Sequence, residues 1–482
     1  MSGIYGVVSK NPCIDSLFYG TDYHSHLGTE FGGLAVMDGD RFSRQIHEIA
    51  QSQFKSKFFE DLDALKGNKG IGVISDSNEQ PIYLNSKFGP FCIVSMGLID
   101  NASDLLEELL AEGHSFAEMS AGRSVNTTEL IAKLITLGDD LVDGIERMFD
   151  RIRGSCSLLI LNRDGVYAAR DRWGYTPLVV GSHAGTFAIT SETAAFPNAD
   201  LKVLKYLAPG EIVLVSENGL STKREGNGEM QICTFLWIYT GFPASDYEGI
   251  NTETTRERCG AALARRDKDI EVDVVAGVPD SGTSHAIGYA MESGKPFRRP
   301  LVKYTPGYGR SYTPSTQEKR DLIAKMKLVP VREVIDGNRI VVCDDSIVRG
   351  TQLKNFTINK LWDAGAKEVH VRPACPPLMF PCKFCLSTRS IHELAARKAI
   401  RNIEGRDIED VSEYVDSHSP KYKKMVDWIA HDLGVTTLRY QTVEDMVEAV
   451  GLPREKLCLY CWTGECPAAC TKQKVASASA RR

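Results

Sequence analysis

The sequence predicts two folds in series, a layered α+β unit followed by an α/β unit built on a parallel sheet. Three observations predict this. Roughly the first 215 residues read as many short strands with few helices. From about residue 250, strand, loop and helix alternate. A polar, glycine-rich stretch, STKREGNGEM at 221–230, lies between the two regions and marks a boundary. Runs of strands with a few helices pack in layers, whereas strict alternation makes βαβ crossovers and puts ligand loops at the strand C-termini.

In the first half, IYGVVS, GGLAVM, GIGVIS, FCIVSMG, CSLLILN, GVYAARD, PLVVG, TFAITS and EIVLVS are apolar or alternating runs bounded by Gly, Asn and Asp. NASDLLEELLAEG and NTTELIAKLITLG interrupt them as helices, with polar starts and apolar residues at i, i+3 and i+4. In the second half, EVDVVAGVP is a buried strand that feeds a glycine turn and the helix HAIGYAMESG. PFRRPLVKY follows as a strand, then a long polar stretch. RIVVCDD is a further strand, leading through SIVRGTQ into the helix LKNFTINKLWDAGA and the strand KEVHVRPA. The domains expected are 1–230, 231–445 and a cysteine-rich segment at 446–482, whose end, KQKVASASARR, lacks apolar periodicity and reads as disordered.

Composition narrows the function classes. A chain of 482 residues suggests roughly two to four domains. A hydrophobic fraction of 43% and a charged fraction of 25% are ordinary for a soluble protein. The net charge of −6, with dispersed basic residues, argues against a nucleic-acid partner. No apolar run is long enough to cross a bilayer, and MSGIYGVVSKNP lacks the pattern of a secretory signal, so a cytoplasmic protein is expected.

The run RIVVCDDSIVRGTQLKN carries the most chemistry. A strand ends in Asp344 and Asp345, and a loop of small residues opens a helix. Backbone N–H groups of such a loop, Ile347 and Gly350 among them, cradle a phosphate dianion at the helix start. Ser346, Arg349 and Thr351 add side-chain donors. The two acids precede that pocket at a solvent-facing strand end, where a ribose diol and Mg²⁺ would lie, and two carboxylates with substrate oxygens suit a hard octahedral ion. The acids alone would also fit a plain strand end with a Ser/Thr cap; the whole run points to phosphate. In the second loop, GVPDSGTSHAIGYA, the turn Asp280, Ser281, Gly282 would present backbone amides and a hydroxyl to a pyrophosphate. Between the loops, 305–327 carries Arg310, Arg320, Lys325 and Lys327, which read either as a closing segment that neutralises a leaving group or as a solvated basic face.

Thirteen cysteines are out of place as a disulfide framework in a large cytosolic chain, and they are unevenly placed, with Cys375, Cys382, Cys385, Cys458, Cys461, Cys466 and Cys470 in the last quarter or so. Cys382 with Cys385 and Cys458 with Cys461 have C-x-x-C spacing, which lets two thiolates reach one metal, although buried apolar cysteines or a redox pair would look alike. Cys375, Cys466 and Cys470 fall in the same region.

These motifs make the chain resemble the glutamine phosphoribosylpyrophosphate (PRPP) amidotransferase family over nearly its whole length. VPDSGTSHAIGYAMESG, STQEKR, VVCDDSIVRGT and RPACPPLMFPC with HELA are similar to that family's transferase half. MSGIYGVVS, HLGTEFGGLAV, ARDRWGYTPLVVG and LAPGEIV are similar to its glutaminase half, an N-terminal-nucleophile domain of αββα layers. The resemblance implies a type I phosphoribosyltransferase domain. It implies displacement at the ribose C1 by ammonia with loss of pyrophosphate, Mg²⁺ held by Ser281, Asp344 and Asp345, and Arg310, Lys325 and Lys327 at the leaving group. It also implies purine nucleotides as ligands and a homo-oligomer. Family members with a [4Fe–4S] cluster have four ligands that fall here on Cys233, Cys382, Cys458 and Cys461. Cys385 leaves open a zinc site on Cys382, Cys385, Cys458 and Cys461.

The glutaminase half departs from the family where chemistry is required. Ser2 stands at the N-terminal cysteine nucleophile. Val73 and Leu27 replace two arginines, Thr127 replaces the aspartate that holds the substrate ammonium, and Met96 replaces an oxyanion donor beside the retained Gly97. Losing such a donor alone costs about 10²–10³ in rate. An inactive glutaminase scaffold is expected. In the phosphate loop, Gln352 stands at the second Thr position. Three readings follow: a transferase using ammonia, a glutamine-using enzyme acting through Ser2, and a non-catalytic PRPP or purine-nucleotide sensor.

Overall fold

The computed structural model describes residues 2–28, 30–50, 52–117, 125–304, 326, 328–385 and 390–465. The chain forms two compact units. The first comprises Met1–Cys233, Ala244–Gly249 and Lys383–Ser387, and the second Thr234–Pro243, Ile250–Cys382 and Thr388–Arg482, as far as these are described.

The first unit is built on two antiparallel sheets. One has seven strands in the order Lys202–Tyr206, Val179–His183, Thr186–Thr190, Gly3–Val8, Lys69–Ser75, Phe31–Asp38, Arg41–Glu48. The other has six, in the order Gly219–Arg224, Ile212–Ser216, Gly165–Ala169, Gly154–Asn162, Gly89–Ile99, Ile82–Ser86. Ile4, Ala35, Ile71 and Val73 of the first sheet meet Val94, Met96, Leu159 and Val166 of the second in a core between them. The outer faces are covered as well. Leu17 and Phe18 of helix Ile14–Asp22 pack on the first sheet. Helices Ala102–Ala111, Thr127–Thr136 and Leu141–Arg151 cover the second. The result is four layers, helix–sheet–sheet–helix. Burial on both faces explains why the central strands are apolar without alternation, unlike antiparallel strands with one wet face. The helix starts obey capping chemistry: Asn126 accepts from the N–H groups of Thr128 (3.0 Å) and Glu129 (3.3 Å).

Arg41–Glu48, Ile82–Ser86, Lys202–Tyr206 and Gly219–Arg224 are strands beyond those the apolar runs indicate, and they are the four edges of the two sheets. Ser221–Arg224, read from sequence as part of a boundary, completes the last of them by pairing with Ile212–Val213 and Leu214.

The second unit has a four-stranded parallel sheet, Val274–Gly277, Arg339–Asp344, Glu368–Pro373, Thr437–Leu438. Ile340, Val342, Val369 and Val371 form its core with Ala399 and Ile400 of helix Ala395–Glu404 and Ile429 of helix Pro420–Leu433. Helices Thr252–Arg265 and Thr283–Ser293 approach closely because Gly260 and Gly288 have no side chains. A Cβ on Gly260 would lie 1.8 Å from the His285 carbonyl oxygen. Two expected elements differ in extent. PFRRPLVKY contributes only Leu301–Lys303, antiparallel to Leu328–Pro330, while Phe297 bridges Val275. LKNFTINKLWDAGA is helical, with a widened π-type turn at Lys354–Ile358. Residues 446–465, expected as a separate segment, belong to the second unit. No helix among the described residues is long and apolar enough to cross a membrane.

Candidate active site

Two neighbouring strands of the parallel sheet, Val274–Gly277 and Arg339–Asp344, pair with Gly277 opposite Cys343, so their following loops leave the same edge. The first loop lies flat against the second strand. The Val278 N–H donates to the Cys343 carbonyl (2.9 Å) and the Gly282 N–H to the Val278 carbonyl (2.8 Å). Gly282 is needed there: a Cβ would sit 2.2 Å from the Cys343 carbonyl oxygen. Its N–H is already satisfied, so it serves close approach rather than presenting its amide to pyrophosphate. The approach brings the Ser281 hydroxyl to the Asp344 carboxylate, to which it donates at 3.2 Å. The Pro279–Asp280 peptide is cis, and exposed Asp280 pairs with Lys303 Nζ at 2.7 Å.

Asp344 and Asp345 are buried, at 8% and 7% exposure, and not at the solvent-facing end expected from sequence. The first loop and the strand Glu368–Pro373 flank them, since Asp344 is paired with Pro373. Asp344 Oδ1 also accepts from the Asp345 N–H at 3.0 Å, and Asp345 Oδ1 accepts from Ser346 Oγ at 2.6 Å. Burial, and then the neighbouring Asp345 charge, push the Asp344 carboxyl well above the usual carboxylate range. Burial raises Asp345 too, against the lowering effects of Ser346, Ser281 and the Arg256 guanidinium. Two adjoining acids held away from water are a donor set that fits a divalent cation, whose charge offsets the cost of ionising both.

The loop after the acids is fixed at several points. Ile347 is buried in the core, and the Val348 carbonyl accepts from the Ala395 N–H at 2.8 Å. Gly350 has φ +79°, a left-handed conformation that disfavours any side chain, and its carbonyl accepts from the Lys354 N–H at 2.9 Å to start the helix. Arg349 is exposed and pairs with Glu393 at 2.6 Å; Thr351 is exposed at the helix start. Thus Asp280, Ser281, Gly282, Asp344, Asp345, Ser346, Ile347, Arg349, Gly350 and Thr351 lie on two adjoining loops of one unit. Arg310, Arg320, Lys325 and Lys327 lie outside the described residues, as do Cys466 and Cys470. Sequence reasoning missed Lys303, Glu393 and Arg256. Arg256 donates from helix Thr252–Arg265 to the carbonyls of Trp237, Tyr239 and Gly241. A lone basic or acidic residue carries no local signal of such partners.

In the first unit, Ser2 Oγ accepts from the Asp76 N–H at 3.3 Å. Val73 (0%), Met96 (3%) and Leu27 (8%) are buried. The Thr127 hydroxyl accepts from Asn78 Nδ2 at 2.8 Å. Gly97 keeps a φ of +129°. His26 pairs with buried Glu192 at 2.9 Å. Burial alone would raise the Glu192 carboxyl, but His26 and His24 together hold it below its ordinary value.

The cysteines divide between the units: Cys382, Cys458 and Cys461 in the second, Cys233 and Cys385 in the first. Among the described residues, no group of three or more His, Cys, Asp or Glu is placed to hold a metal ion.

A family model described as "Glutamine amidotransferase domain" matches residues 69–198. The amidophosphoribosyltransferase of Methanocaldococcus jannaschii is 30% identical over 98% of this chain and 99% of its own length. That of Pyrococcus horikoshii is 34% identical over 83% of this chain and 88% of its own. The solved structure of the Bacillus subtilis glutamine PRPP amidotransferase, complexed with ADP and GMP, superposes with a TM-score of 0.82 at 30% identity, covering 96% of this chain and 97% of that one. With its layered glutaminase-like unit and its acidic phosphate-loop unit, this chain belongs to the amidophosphoribosyltransferase family, the phosphoribosyltransferase enzymes of purine biosynthesis.

Proposed function

We propose that this chain makes 5-phosphoribosylamine from PRPP with ammonia as the nitrogen source, and that it does not use glutamine. The observation that carries this reading is the contrast between the units. Asp344, Asp345, Ser281 and the glycine-fixed loop are together in the second. In the first, Val73, Met96 and Leu27 are buried apolar side chains where a zwitterionic substrate and an oxyanion require charged or polar partners.

Mg²⁺, bound by Asp344 and Asp345 with Ser281 alongside, would neutralise charge on the diphosphate. The chain's own residues position the substrate. The loop Ser346–Thr351 holds the 5-phosphate through backbone N–H groups and the Thr351 and Ser346 hydroxyls, and the turn Asp280–Gly282 flanks the diphosphate. Ammonia attacks C1 as the C1–O bond breaks, pyrophosphate leaves with the electron pair, and the new ammonium group gives a proton to water. Positioning supplies most of the acceleration in such a displacement. The Arg310, Lys325 and Lys327 segment is proposed to neutralise the departing pyrophosphate.

The test is Mg²⁺- and PRPP-dependent pyrophosphate release with ammonium, with glutamine and with neither. Ammonium should support turnover, more so as pH rises and the NH₃ fraction grows, and Ser2→Ala should leave that rate unchanged. Glutamate release abolished by Ser2→Ala would overturn the reading. PRPP binding without pyrophosphate release from either nitrogen source would replace it with a PRPP sensor. A [4Fe–4S] cluster on Cys233, Cys382, Cys458 and Cys461, or zinc on Cys382, Cys385, Cys458 and Cys461, rests on spacing and family resemblance rather than on an assembled geometry. No step of the reaction depends on it.

A further inference from the structure

On the first unit, a cavity of about 450 Å³ opens at the opposite end of strand Gly3–Val8 from Ser2. Ser2 precedes that strand, whereas the Ser9 hydroxyl, beyond its other end, meets the Thr186 hydroxyl of the cavity wall at 3.0 Å. The six residues of the strand put about 20 Å between the two places. Helix Ile14–Asp22 makes one wall, the hairpin turn at 183–186 a second, and the segment 195–201 a third.

The helix wall carries a carboxylate and two aromatic rings in line. Asp15, Tyr19 and Tyr23 follow one another at intervals of four, so they stand on one helix face, and all three line the cavity. Among the described residues, the Asp15 carboxylate has no hydrogen-bond or ion-pair partner. The helix dipole favours an acid in the first turn, but it does not call for two rings above that acid. Both rings are held in place. Tyr19 is 52% exposed, yet its ring packs edge-on against buried Phe18, with centroids 5.0 Å apart. The Tyr23 hydroxyl accepts from Asn198 Nδ2 at 2.5 Å, which ties it to the third wall. The hairpin turn is fixed as well, with Ala184 and Gly185 at φ +47° and +83°, the left-handed pair that a two-residue turn between twisted strands requires. Buried Ala195 and Leu201 add apolar surface. Among the described lining residues there is one carboxylate and no Lys or Arg.

This chemistry selects for positive charge. An unpaired carboxylate attracts a cation directly, and each tyrosine ring adds about 0.5–1 kcal/mol at an exposed site. The volume falls in the range of small-molecule sites. We propose that the cavity binds a small organic cation, an ammonium or quaternary ammonium group on a compact body, with Asp15 as counter-ion and Tyr19 and Tyr23 as the aromatic surface. The site is independent of the transferase loops and of the nitrogen source used for transfer.

Isothermal titration and saturation-transfer NMR of the full-length protein test it, with choline, ethanolamine and dimethylbutanol, the uncharged isostere of choline, as probes. At least one cation should bind saturably, fivefold or more tighter than dimethylbutanol, and its affinity should fall as salt rises. Asp15→Asn and Tyr19→Leu should each weaken binding about two- to fivefold, and together about tenfold or more. Both side chains are exposed, so the melting temperature of these variants should match wild type. Ser2→Ala should leave binding unchanged. Tighter binding of choline supports recognition led by the rings, and tighter binding of ethanolamine recognition led by the carboxylate. Absence of saturable binding by either cation, equal binding of dimethylbutanol, or undiminished binding by the double variant would overturn the proposal.

Discussion

Asp344→Asn should stabilise the metal-free protein while weakening Mg²⁺-dependent PRPP binding. Asn keeps the Oδ1 acceptor for the Asp345 N–H and the Ser281 hydroxyl, so the geometry at 3.0 and 3.2 Å survives. What disappears is one of two adjoining buried acids, both with raised pKa. Two like charges about 4 Å apart at an effective dielectric of about 20 repel by about 4 kcal/mol. The wild type escapes part of this by holding a proton, so a net gain of about 1–2 kcal/mol is expected for the variant. The sign follows from linkage. An acid whose folded pKa lies above its unfolded value imposes no penalty below the unfolded pKa. The penalty grows as pH rises between the two values and is complete above the folded one. In EDTA, the melting temperature of the variant should therefore match wild type near pH 4 and exceed it by a few degrees at pH 8. With Mg²⁺ and PRPP the order should reverse, because only wild type gains binding energy. A variant less stable than wild type in EDTA at pH 8 would refute the reasoning.

Three further outcomes follow from the same geometry. Thr351→Val should weaken binding of ribose 5-phosphate compounds by about 1 kcal/mol, roughly fivefold, as measured by calorimetry, because one hydroxyl donor is lost. Gly282→Ala places a Cβ 2.2 Å from the Cys343 carbonyl oxygen, so the loop must lift from the strand. It should cost about 2–3 kcal/mol in denaturant unfolding and lower Mg²⁺ affinity, since Ser281 moves with it. Anaerobically purified protein should contain iron and acid-labile sulfide if the quartet with Cys233 holds a cluster; a colourless protein with stoichiometric zinc would favour the set with Cys385 instead.

What the sequence revealed and concealed has physical causes. Central strands were legible because burial on both faces demands continuous apolar runs, as in GIYGVV. In the two sheets of the first unit, the four strands that were not read are sheet edges, where a half-exposed strand such as Arg41–Glu48 carries charged and polar residues and reads as loop. Helix Thr252–Arg265 was not read because its buried residues are mostly small or polar (Thr252, Thr255, Arg256, Cys259, Gly260, Ala262 and Ala264), with Leu263 the one large apolar side chain among them. The loops of the site were legible because their chemistry demands rare residues in fixed order: adjoining acids, then a glycine with left-handed φ at 350. The burial of Asp344 and Asp345 was not, because it depends on the first loop and the strand Glu368–Pro373 flanking them, a non-local arrangement.

The same distinction bears on the first unit. Val73 and Met96 belong to the core between the two sheets, in one cluster with Ile4, Ala35 and Leu159. They therefore contribute packing: fully burying a side chain of this size is worth about 1.5–3 kcal/mol. An arginine at 73 would have to bring a charge into that core or push the sheets apart, and an unpaired buried charge costs far more than the packing yields. The apolar residues at these positions thus bind the two sheets together. Gly97, which must stay glycine because a Cβ would lie 2.1 Å from the Ser155 carbonyl oxygen, is explained by the fold without any catalytic role. Retention of such a residue is no sign of retained glutaminase chemistry, whereas burial raises the cost of keeping Asp344 and Asp345 charged, which packing alone does not call for.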